Sequence, residues 1–440
     1  MKISVIGCGY LGAVHAACMT HLGHEVLGVD VDASKVARLN QGLSPFHEPG
    51  FDTMLTAGLN SGRLRFTTSP SPADLAGVEV HFLAVGTPQT PGRKAADLSH
   101  LWRAVGMLCR TLPRDGATVV AGKSTVPVGT AAAVEKRLAP LGAALVWNPE
   151  FLREGFAVAD TLNPDRIVYG LSADPDRADR GQAALDAVYS QMLAASVPRI
   201  LTDFATAELT KTAANSFLAT KISFINAMAE ICEKTGGDVV TLAEAIGHDP
   251  RIGRRFLRAG VGFGGGCLPK DIRAFTARAQ EIGAGESVRF LAEVDAINLR
   301  RRRRVTELAA SKLGRDVAGA RVTVLGAAFK PNSDDIRDSP ALDVAERLAQ
   351  MGARVTVCDP RALEAVGRHY PHLRTEPDPV RALQGADLVL LLTEWSDFVD
   401  LDPFAAAQHV ARPAIIDGRN ALDPTRWRNA GWSYTGLGRP

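Results

Sequence analysis

The first 30 residues contain a glycine pattern that strongly restricts what this chain can fold into. The apolar run Ile3–Ile6 breaks into Gly7-x-Gly9-x-x-Gly12, a helical pattern follows, and the next strand candidate, Glu25–Asp30, ends in a carboxylate. In such a βαβ unit the first glycine permits a tight turn, the second lets a pyrophosphate approach the backbone, and the third lets the helix pack on the strand. The pattern therefore predicts a dinucleotide site. Asp30 would accept hydrogen bonds from ribose hydroxyls and repel a 2′-phosphate, which favours NAD over NADP.

Further strand candidates alternate with helix-compatible stretches, as in a doubly wound parallel sheet. They are Val78–Val85, Ala117–Ala121 and Ala144–Trp147. We expect the first domain, an NAD-binding Rossmann domain, to span residues 1–203.

A similar alternation recurs near the C-terminus. Strand candidates occupy 321–326, 354–359, 386–392 and 414–417, with a helix near 341–351. The glycine fingerprint is missing, because Gly326 is followed by Ala327-Ala328-Phe329-Lys330. Residues 314–440 are thus predicted to form a second Rossmann-like domain that binds something other than a dinucleotide.

The segment between these halves, residues 204–313, has helical patterns and no convincing strand. The stretch Ala207–Lys234 is apolar nearly all round, which predicts a buried helix. A second long helix, near Val288–Leu313, contains Arg300–Arg304, which we interpret as a solvated or interface face. The fold class predicted is α/β, with two Rossmann-like doubly wound parallel-sheet domains joined by a central helical region.

Composition excludes several classes of protein. The chain of 440 residues has 50 basic and 48 acidic side chains, a net charge of +2, so it lacks a field to hold nucleic acid. No run reaches the roughly 18 apolar residues that span a bilayer. The six cysteines include no C-x-x-C pair, which argues against a metal site and a disulfide framework. We expect a cytoplasmic protein without a metal or membrane partner.

A glycine-rich segment, Gly262–Asp271, places Cys267 just before a helix-compatible stretch. A thiol near a helix N-terminus, with Lys270 and Arg273 close in sequence, is favoured as a thiolate and hence as a nucleophile. The alternative is that this cysteine is a small apolar side chain buried in the core. The other five cysteines sit in strand or helix patterns and take that structural interpretation.

Lys211 and Asn215 are four residues apart, so they share a helix face that continues with Leu218 and Ile222. A buried ammonium is costly without a partner, which makes Lys211 a candidate to hold an oxyanion or a substrate group. An internal salt bridge to a carboxylate is the alternative.

Two polar segments, Trp147–Gly155 and Lys123–Pro127, follow strands of the first domain, where ligand-binding loops of open α/β sheets lie. Capping and turn formation are the alternative roles for Ser124, Thr125 and Asn148. Their clustering at strand ends favours a functional site.

These motifs together resemble the UDP-glucose/GDP-mannose dehydrogenase family over essentially the whole chain. The matching segments are GCGYLG (7–12), VGTPQ (85–89), GKSTVPVGT (122–130), NPEFLREG (148–155), ELTKTAANSFLATKISFIN (208–226), DPRIG (249–253), FLRAGVGFGGGCLPKD (256–271), FKPNSDDIRDSPA (329–341) and DGRN (417–420). KSTVPVGT and FLRAG look most like the UDP-glucose branch.

The resemblance implies a role for each matching residue. The implied catalytic residues are Cys267, Lys211, Asn215, Asp271, Thr125 and Glu154. Those implied to contact NAD are Gly7, Gly9, Tyr10, Leu11, Gly12, Asp30, Lys35, Thr87, Thr125, Glu154, Lys270 and Arg337. Those implied to bind the nucleotide sugar are Glu150, Phe151, Leu152, Arg153, Glu154, Lys211, Asn215, Arg251, Phe256, Leu257, Arg258, Ala259, Gly260, Gly264, Lys330 and Arg419.

The resemblance also implies an NAD-dependent four-electron oxidation of UDP-glucose through a cysteine thiohemiacetal and thioester, and a homodimer built on a long central helix. GDP-mannose and UDP-N-acetylmannosamine are alternative substrates. A two-electron 2-hydroxyacid or 6-phosphogluconate type of dehydrogenase shares the fold but needs no cysteine in a glycine loop. A non-enzymatic nucleotide-sugar binding protein would not need Cys267, Lys211 and Asp271 together.

Overall fold

The structure is a computed structural model that describes residues 1–114, 116–314 and 317–440. The chain divides into two compact units: one contains residues 1–214 and 277–283, the other residues 215–276 and 284–440. The division at 203 and 313 into three domains stays a prediction.

The first unit is built on an eight-stranded sheet with the strand order β3-β2-β1-β4-β5-β6-β7-β8. Its strands are β1 Lys2–Ile6, β2 Glu25–Val29, β3 Leu64–Thr67, β4 Val80–Leu83, β5 Val119–Gly122, β6 Ala144–Trp147, β7 Ile167–Leu171 and β8 Arg199–Asp203. All neighbouring pairs are parallel except β6 and β7. The order 3-2-1-4-5-6 confirms the predicted doubly wound fold.

Helices connect these strands. They are α1 Tyr10–His21, α2 Ala33–Asn40, α3 Phe51–Asn60, α4 Pro72–Leu75, α5 Ser99–Thr111, α6 Thr130–Leu138, α7 Ala157–Leu162, α8 Pro175–Val188 and α9 Ser190–Ala194, with a 3₁₀ turn at Ala139–Leu141. Strands β4, β5 and β6 are buried along their whole length. Such strands are apolar on both faces because helices cover both faces of the sheet.

The predicted helical segment is confirmed: residues 204–313, all of which the structure describes, contain helices and no strand. The helices are α10 Phe204–Thr235, α11 Val239–Gly247, α12 Leu268–Glu281 and α13 Phe290–Leu313, with a 3₁₀ turn at Gly285–Val288. The division between the two units falls within α10 and α12. In the described part of the chain no helix has the length and apolar character needed to cross a membrane.

The prediction that α10 is buried all round is wrong for one of its faces. Phe217, Phe224 and Ile231, seven residues apart, are 65%, 49% and 53% exposed, whereas Ile225 and Ala229 are fully buried. Apolar periodicity identifies a face that needs cover, but it does not say whether the cover comes from the same chain.

The interpretation of Arg300–Arg304 as a solvated or interface face is also wrong for two of its members. Arg301 and Arg302 are buried within α13. The Arg301 guanidinium lies 3.0 Å from Glu233, and that of Arg302 lies 2.7 Å from Asp338. Arg303, in contrast, is exposed. Carboxylates from distant parts of the sequence make the burial possible, and a local charge pattern does not reveal them.

The second unit contains an all-parallel six-stranded sheet with the order β11-β10-β9-β12-β13-β14. Its strands are β9 Arg321–Leu325, β10 Arg354–Cys358, β11 Arg374–Thr375, β12 Leu388–Leu391, β13 Ala414–Asp417 and β14 Ser433–Gly436. Its helices are α14 Pro340–Gln350, α15 Leu363–His369, α16 Pro379–Leu383, α17 Ser396–Val399, α18 Pro403–Ala407 and α19 Pro424–Asn429. The second Rossmann-like half is therefore confirmed.

Two glycines of the fingerprint should respond differently to substitution by alanine. A Cβ at Gly12 would lie 1.8 Å from the Gly7 carbonyl oxygen, whereas a Cβ at Gly9 would have no atom within 4 Å. We expect Gly12→Ala to lower the free energy of unfolding by about 1–3 kcal/mol, and Gly9→Ala to change it by less than about 1 kcal/mol. Urea unfolding followed by circular dichroism measures both, and equal midpoints for the two variants would contradict the packing argument.

Candidate active site

The loop between β1 and α1 has the features that a pyrophosphate needs. Gly7 has φ +95°, which glycine adopts readily, and the space beside Gly9 is open. Within the described residues, no side chain caps the N-terminus of α1, which begins with Tyr10 and Leu11. The first turn of this helix contains no acidic residue. The helix N-terminus is thus left for an anion, and these residues fit a dinucleotide.

The carboxylate predicted to bind the ribose lies at the end of β2. Asp30 accepts hydrogen bonds from the backbone N–H of Cys8 at 2.9 Å and from the Lys35 ammonium at 3.0 Å. Asp30 and Lys35, both predicted cofactor contacts, are therefore brought together. Thr87, at the end of β4, donates to the carbonyl of Thr125 at 2.7 Å, which joins two more predicted residues.

A buried carboxylate that the sequence did not indicate connects the glycine loop to the 148–155 segment. Glu48 accepts hydrogen bonds from the Tyr10 hydroxyl and, at 2.7 Å, from the backbone N–H of Gly155. Burial and the Glu48 bond raise the pKa of Tyr10. Through Glu48, Tyr10 is therefore connected to the loop that contains Glu154. Glu154 is itself buried.

Lys211 forms an ion pair within the first unit. Its ammonium lies 3.0 Å from the Glu150 carboxylate, and both side chains are buried. The alternative interpretation of Lys211, an internal salt bridge, thus describes the structure. An ammonium has three donors, so this pair does not preclude a bond to a substrate oxygen.

Lys123 is a second lysine near this pair, and it is half-buried. It donates to the Asn148 side chain at 3.0 Å, and Asn148 also accepts from Tyr189 at 2.8 Å. Burial lowers the pKa of Lys123 to about 8, and Glu150 opposes that shift. Sequence reasoning placed Lys123 in a strand-end loop but gave it no role of its own.

The remaining predicted residues of the 148–155 segment differ in their surroundings. The Arg166 guanidinium stacks 3.8 Å from the Phe151 ring centroid. The backbone N–H of Leu152 donates to Glu150 at 2.7 Å. Arg153 is largely exposed and pairs with Asp160 at 2.6 Å.

The loop that contains Thr125 is anchored by Glu208, which sequence reasoning did not single out. The two Glu208 carboxylate oxygens accept from the backbone N–H groups of Gly129 at 2.7 Å and Ala131 at 2.6 Å, at the start of α6. Glu208 lies one turn before Lys211 on α10. Burial raises the pKa of Glu208 to about 7, although the N–H donors oppose that rise.

In the second unit, Cys267 directly precedes α12, as predicted. Its carbonyl accepts the first helical hydrogen bond, from Asp271 N–H at 2.9 Å, and the residue is partly exposed. A cysteine in this place meets the positive end of the helix dipole, which favours the thiolate. Burial instead raises the pKa of Cys18 and Cys358 to about 12, which makes them poor nucleophiles.

The three glycines before this cysteine, residues 264–266, each have a close neighbour at the place where a Cβ would lie. A Cβ would lie 2.3 Å from the Asp338 carbonyl oxygen at Gly264, 2.7 Å from the Phe329 ring at position 265 and 2.3 Å from the Arg337 guanidinium at position 266. The segment that contains Arg337 therefore packs directly against the backbone of residues 264–266.

The predicted catalytic pair in this unit is in contact. Asn215 donates to the Asp271 carboxylate at 2.6 Å, and the Lys270 ammonium contacts the other oxygen of the same carboxylate. Asp271 is buried. One carboxylate is thus held by an amide and an ammonium, one turn into the helix that starts after Cys267.

The predicted nucleotide-sugar segment 256–260 combines buried and accessible residues. Leu257 and Ala259 are buried in a small apolar cluster, so only their backbone groups are available to a ligand. Phe256 has φ +64° and is partly exposed. Arg258 is exposed and pairs with Glu394 at 3.6 Å, and Gly260 N–H donates to Asn226 at 2.8 Å.

The predicted basic ligand residues are not equally accessible. Arg419 is partly buried and donates to the carbonyls of Leu392 at 2.7 Å, Gly262 at 3.1 Å and Phe329 at 3.1 Å, so it fixes three loops. Lys330 lies 5.3 Å from the Phe329 ring centroid. Arg251 is exposed and pairs with Asp249, and Arg337 pairs with Asp335.

The second Rossmann-like sheet fills its own counterpart of the dinucleotide loop. One Asp359 oxygen accepts from the backbone N–H groups of Ala327 at 2.7 Å and Ala328 at 3.0 Å, and from the Trp395 indole at 3.1 Å. These groups are unavailable to a pyrophosphate, which supports the prediction that this half binds something else.

No group of three or more potential metal ligands occurs among the described residues.

The fold and the glycine fingerprint define a dinucleotide-binding protein with two Rossmann-like sheets. Three models of the UDP-glucose/GDP-mannose dehydrogenase family match consecutively: the NAD binding domain at residues 1–193, the central domain at 205–300 and the UDP binding domain at 323–424. The chain belongs to this family, and NAD is its cofactor.

Individual relatives match over the full length. A UDP-glucose 6-dehydrogenase of Rhizobium meliloti (strain 1021) is 40% identical over 444 residues, covering 100% of both chains. A UDP-glucose dehydrogenase structure from Pyrobaculum islandicum is 36% identical with a TM-score of 0.89, covering 100% of this chain and 98% of that one. A UDP-D-ManNAc dehydrogenase structure from Pyrococcus horikoshii is 26% identical with a TM-score of 0.85, covering 100% and 99%.

Glu208 should make stability depend on pH. Its folded pKa of about 7 lies above its ordinary value of 4.5, so folding takes up a proton between these pH values. Wild-type stability should therefore fall as the pH rises from about 4.5 to about 7, by at most about 3 kcal/mol from this group. Glu208→Gln should lack that component, whereas Glu25→Gln, at an exposed position, should keep it. Urea unfolding at several pH values measures this, and a wild-type pH dependence in Glu208→Gln would refute it.

Proposed function

We propose that this chain oxidises the C6 alcohol of UDP-glucose to the carboxylate of UDP-glucuronate, with two NAD consumed per sugar. The observation that carries the proposal is Cys267 at the N-terminus of α12, four residues before the buried Asp271. A nucleophilic cysteine can retain the aldehyde covalently between two oxidations. The full-length relatives named UDP-glucose 6-dehydrogenase support the choice of sugar.

We assign NAD binding to the glycine loop and to the predicted residues around it. They are Gly7, Gly9, Tyr10, Leu11, Gly12, Asp30, Lys35, Thr87, Thr125, Glu154, Lys270 and Arg337. When bound, NAD accepts one hydride from C6 in each oxidation. The uncapped N-terminus of α1 favours the pyrophosphate, and Asp30 favours free ribose hydroxyls.

In the first oxidation, Asp271 takes the proton of the C6 hydroxyl through a water molecule. Lys211 and Asn215 donate hydrogen bonds to the alkoxide that forms. Lys211 is held by Glu150 and Asn215 by Asp271, so both donors are oriented before the substrate binds.

In the second oxidation, the Cys267 sulfur adds to the aldehyde carbon and gives a thiohemiacetal. Loss of the second hydride leaves a thioester. Water, deprotonated by Asp271 or Glu154, then attacks the thioester carbon, the C–S bond breaks, and the carboxylate and the cysteine thiolate are released.

Recognition of the nucleotide sugar is assigned to the remaining predicted residues. They are Glu150, Phe151, Leu152, Arg153, Glu154, Lys211, Asn215, Arg251, Phe256, Leu257, Arg258, Ala259, Gly260, Gly264, Lys330 and Arg419. Leu257 and Ala259 would act through their backbone, since their side chains are buried. Arg419 would act mainly by holding the loops that it bridges.

A cytoplasmic location is part of the proposal. None of the six cysteines forms a disulfide, and three of them lie at positions where burial raises the thiol pKa. Cysteines without disulfides are typical of a reducing compartment.

The number of NADH molecules formed per limiting UDP-glucose tests the reaction. We expect two for the natural protein, and for Cys267→Ser a rate of UDP-glucuronate release at least about a hundredfold lower, because a serine is a weaker nucleophile and no thioester forms. Cys109→Ser, which changes a partly exposed cysteine elsewhere, is the control and should release two NADH at the normal rate.

One NADH per sugar, or a fully active Cys267→Ser variant, would overturn the four-electron mechanism. A related nucleotide sugar is the second candidate substrate, because the UDP-D-ManNAc dehydrogenase structure shares the fold over the whole chain. Turnover of GDP-mannose or UDP-N-acetylmannosamine in place of UDP-glucose would select it.

The homodimer is also proposed, with the exposed stripe of α10 as its interface. Phe217, Phe224 and Ile231 form one apolar line along the helix, and a second copy offers the same stripe to a two-fold axis. Phe217→Glu/Phe224→Glu should convert a particle of twice 46.8 kDa into one of 46.8 kDa in sedimentation velocity. Phe404→Glu, an exposed phenylalanine in α18, should leave the dimer intact; a natural protein that sediments as a monomer would refute the proposal.

A further inference from the structure

The segment that leads to Cys267, residues 260–266, is held by side chains instead of by secondary structure. We call it the cysteine loop. Gly260 N–H donates to the Asn226 side chain at 2.8 Å. Phe263 N–H donates to the Asn298 amide oxygen at 2.7 Å, and the same amide donates to the Phe263 carbonyl at 2.9 Å. Asn298 therefore grips both backbone groups of one residue.

Such external anchoring is needed because the cysteine loop ends in three glycines. Glycine loses more backbone freedom on ordering than any other residue and has no side chain to pack. The position of the Cys267 sulfur therefore depends on what fixes the two ends of residues 264–266, which are Phe263 on one side and the start of α12 on the other.

Arg302, from the arginine run of α13, fixes the first end. It donates to the Phe263 carbonyl at 2.9 Å and to the Asp338 carboxylate at 2.7 Å. It also donates to the Asp338 carbonyl at 3.2 Å. The guanidinium is buried, and its planar fork lets it hold both partners at once.

Arg273, in the second turn of α12, fixes the other end. Its guanidinium lies 3.4 Å from the second oxygen of the Asp338 carboxylate. Two further bonds, both 3.0 Å, hold it on Asp295. Asp338 thus pairs with Arg302, which holds the residue before the three glycines, and with Arg273, which belongs to the helix after them.

We propose that Arg302, Asp338 and Arg273 are positioning residues that set the place of the Cys267 sulfur for its attack on the aldehyde. This inference rests on the proposed function, in which Cys267 is the nucleophile. Asp338 has φ +48°, a left-handed conformation that is uncommon for non-glycine residues but that aspartate adopts more readily than most. A buried ionic bridge is weak evidence for stability, because apolar residues of similar size often stabilise as well. Its value here is the fixed distance between the two ends of the glycines.

The arrangement predicts an effect on one chemical step. Only the second oxidation uses Cys267, so loosening the bridge should slow the second NADH and spare the first. A general loss of structure would slow both. The experiment is a single turnover with enzyme in excess over UDP-glucose and NAD saturating, in which NADH absorbance resolves the two phases.

For Arg302→Met we expect a second phase at least tenfold slower than wild type and a first phase within threefold. Arg302→Lys, which can still bind one partner, should recover part of the second phase. Arg303→Met, at the exposed neighbour in the same run, should match wild type in both phases. Asp338→Asn keeps the shape and one acceptor, so it decides the matter if Arg302→Met does not fold.

An unchanged second phase in Arg302→Met or in Asp338→Asn would overturn the positioning role, as would equal slowing of both phases. A wild-type protein that forms only one NADH per UDP-glucose would instead overturn the proposed function itself. The two failures are therefore distinguishable within one data set.

Discussion

The parallel sheets impose the constraint on which the rest of the molecule depends. Strands buried on both faces are mostly apolar, so most polar side chains lie in the loops at their ends. In the first unit the carboxyl ends of β1, β2, β4, β5 and β6 carry the glycine loop, Asp30, Thr87, the 123–130 loop and the 148–155 segment. Because these strands are parallel neighbours, residues more than 100 positions apart share one edge of the sheet. The common direction of the strands therefore determines where the candidate site residues lie.

That constraint explains why most of the fold was predictable and why several of the predicted site residues lie together at the ends of strands. The interior strands are mostly apolar runs, and all of them except β7 were found to within a few residues. The other missed strands, β3, β8, β11 and β14, lie at the edges of the two sheets. Strand β8 is exposed for nearly its whole length and β11 has two residues, so neither presents a buried apolar run for sequence reasoning to detect.

The residues that sequence reasoning missed share one property: their partners are distant in sequence. Glu48 reaches Gly155, Glu208 reaches Gly129, and Asn298 reaches Phe263. A carboxylate in a loop or an asparagine in a helix has many ordinary roles, and only the fold reveals which backbone N–H it meets. The arginine run and the α10 stripe show the same limit, because local periodicity marks a face without identifying its neighbour.

Asp359 has a consequence for anyone who wishes to re-engineer the second Rossmann-like sheet. Its carboxylate already neutralises the backbone N–H groups after β9 that a phosphate would need. The next helix, α14, begins only at Pro340, well beyond the end of β9 at Leu325. Grafting a glycine fingerprint onto this sheet would therefore supply neither free donors nor an adjacent helix dipole. The two halves have similar topologies, yet only the first places a helix N-terminus directly after its first strand.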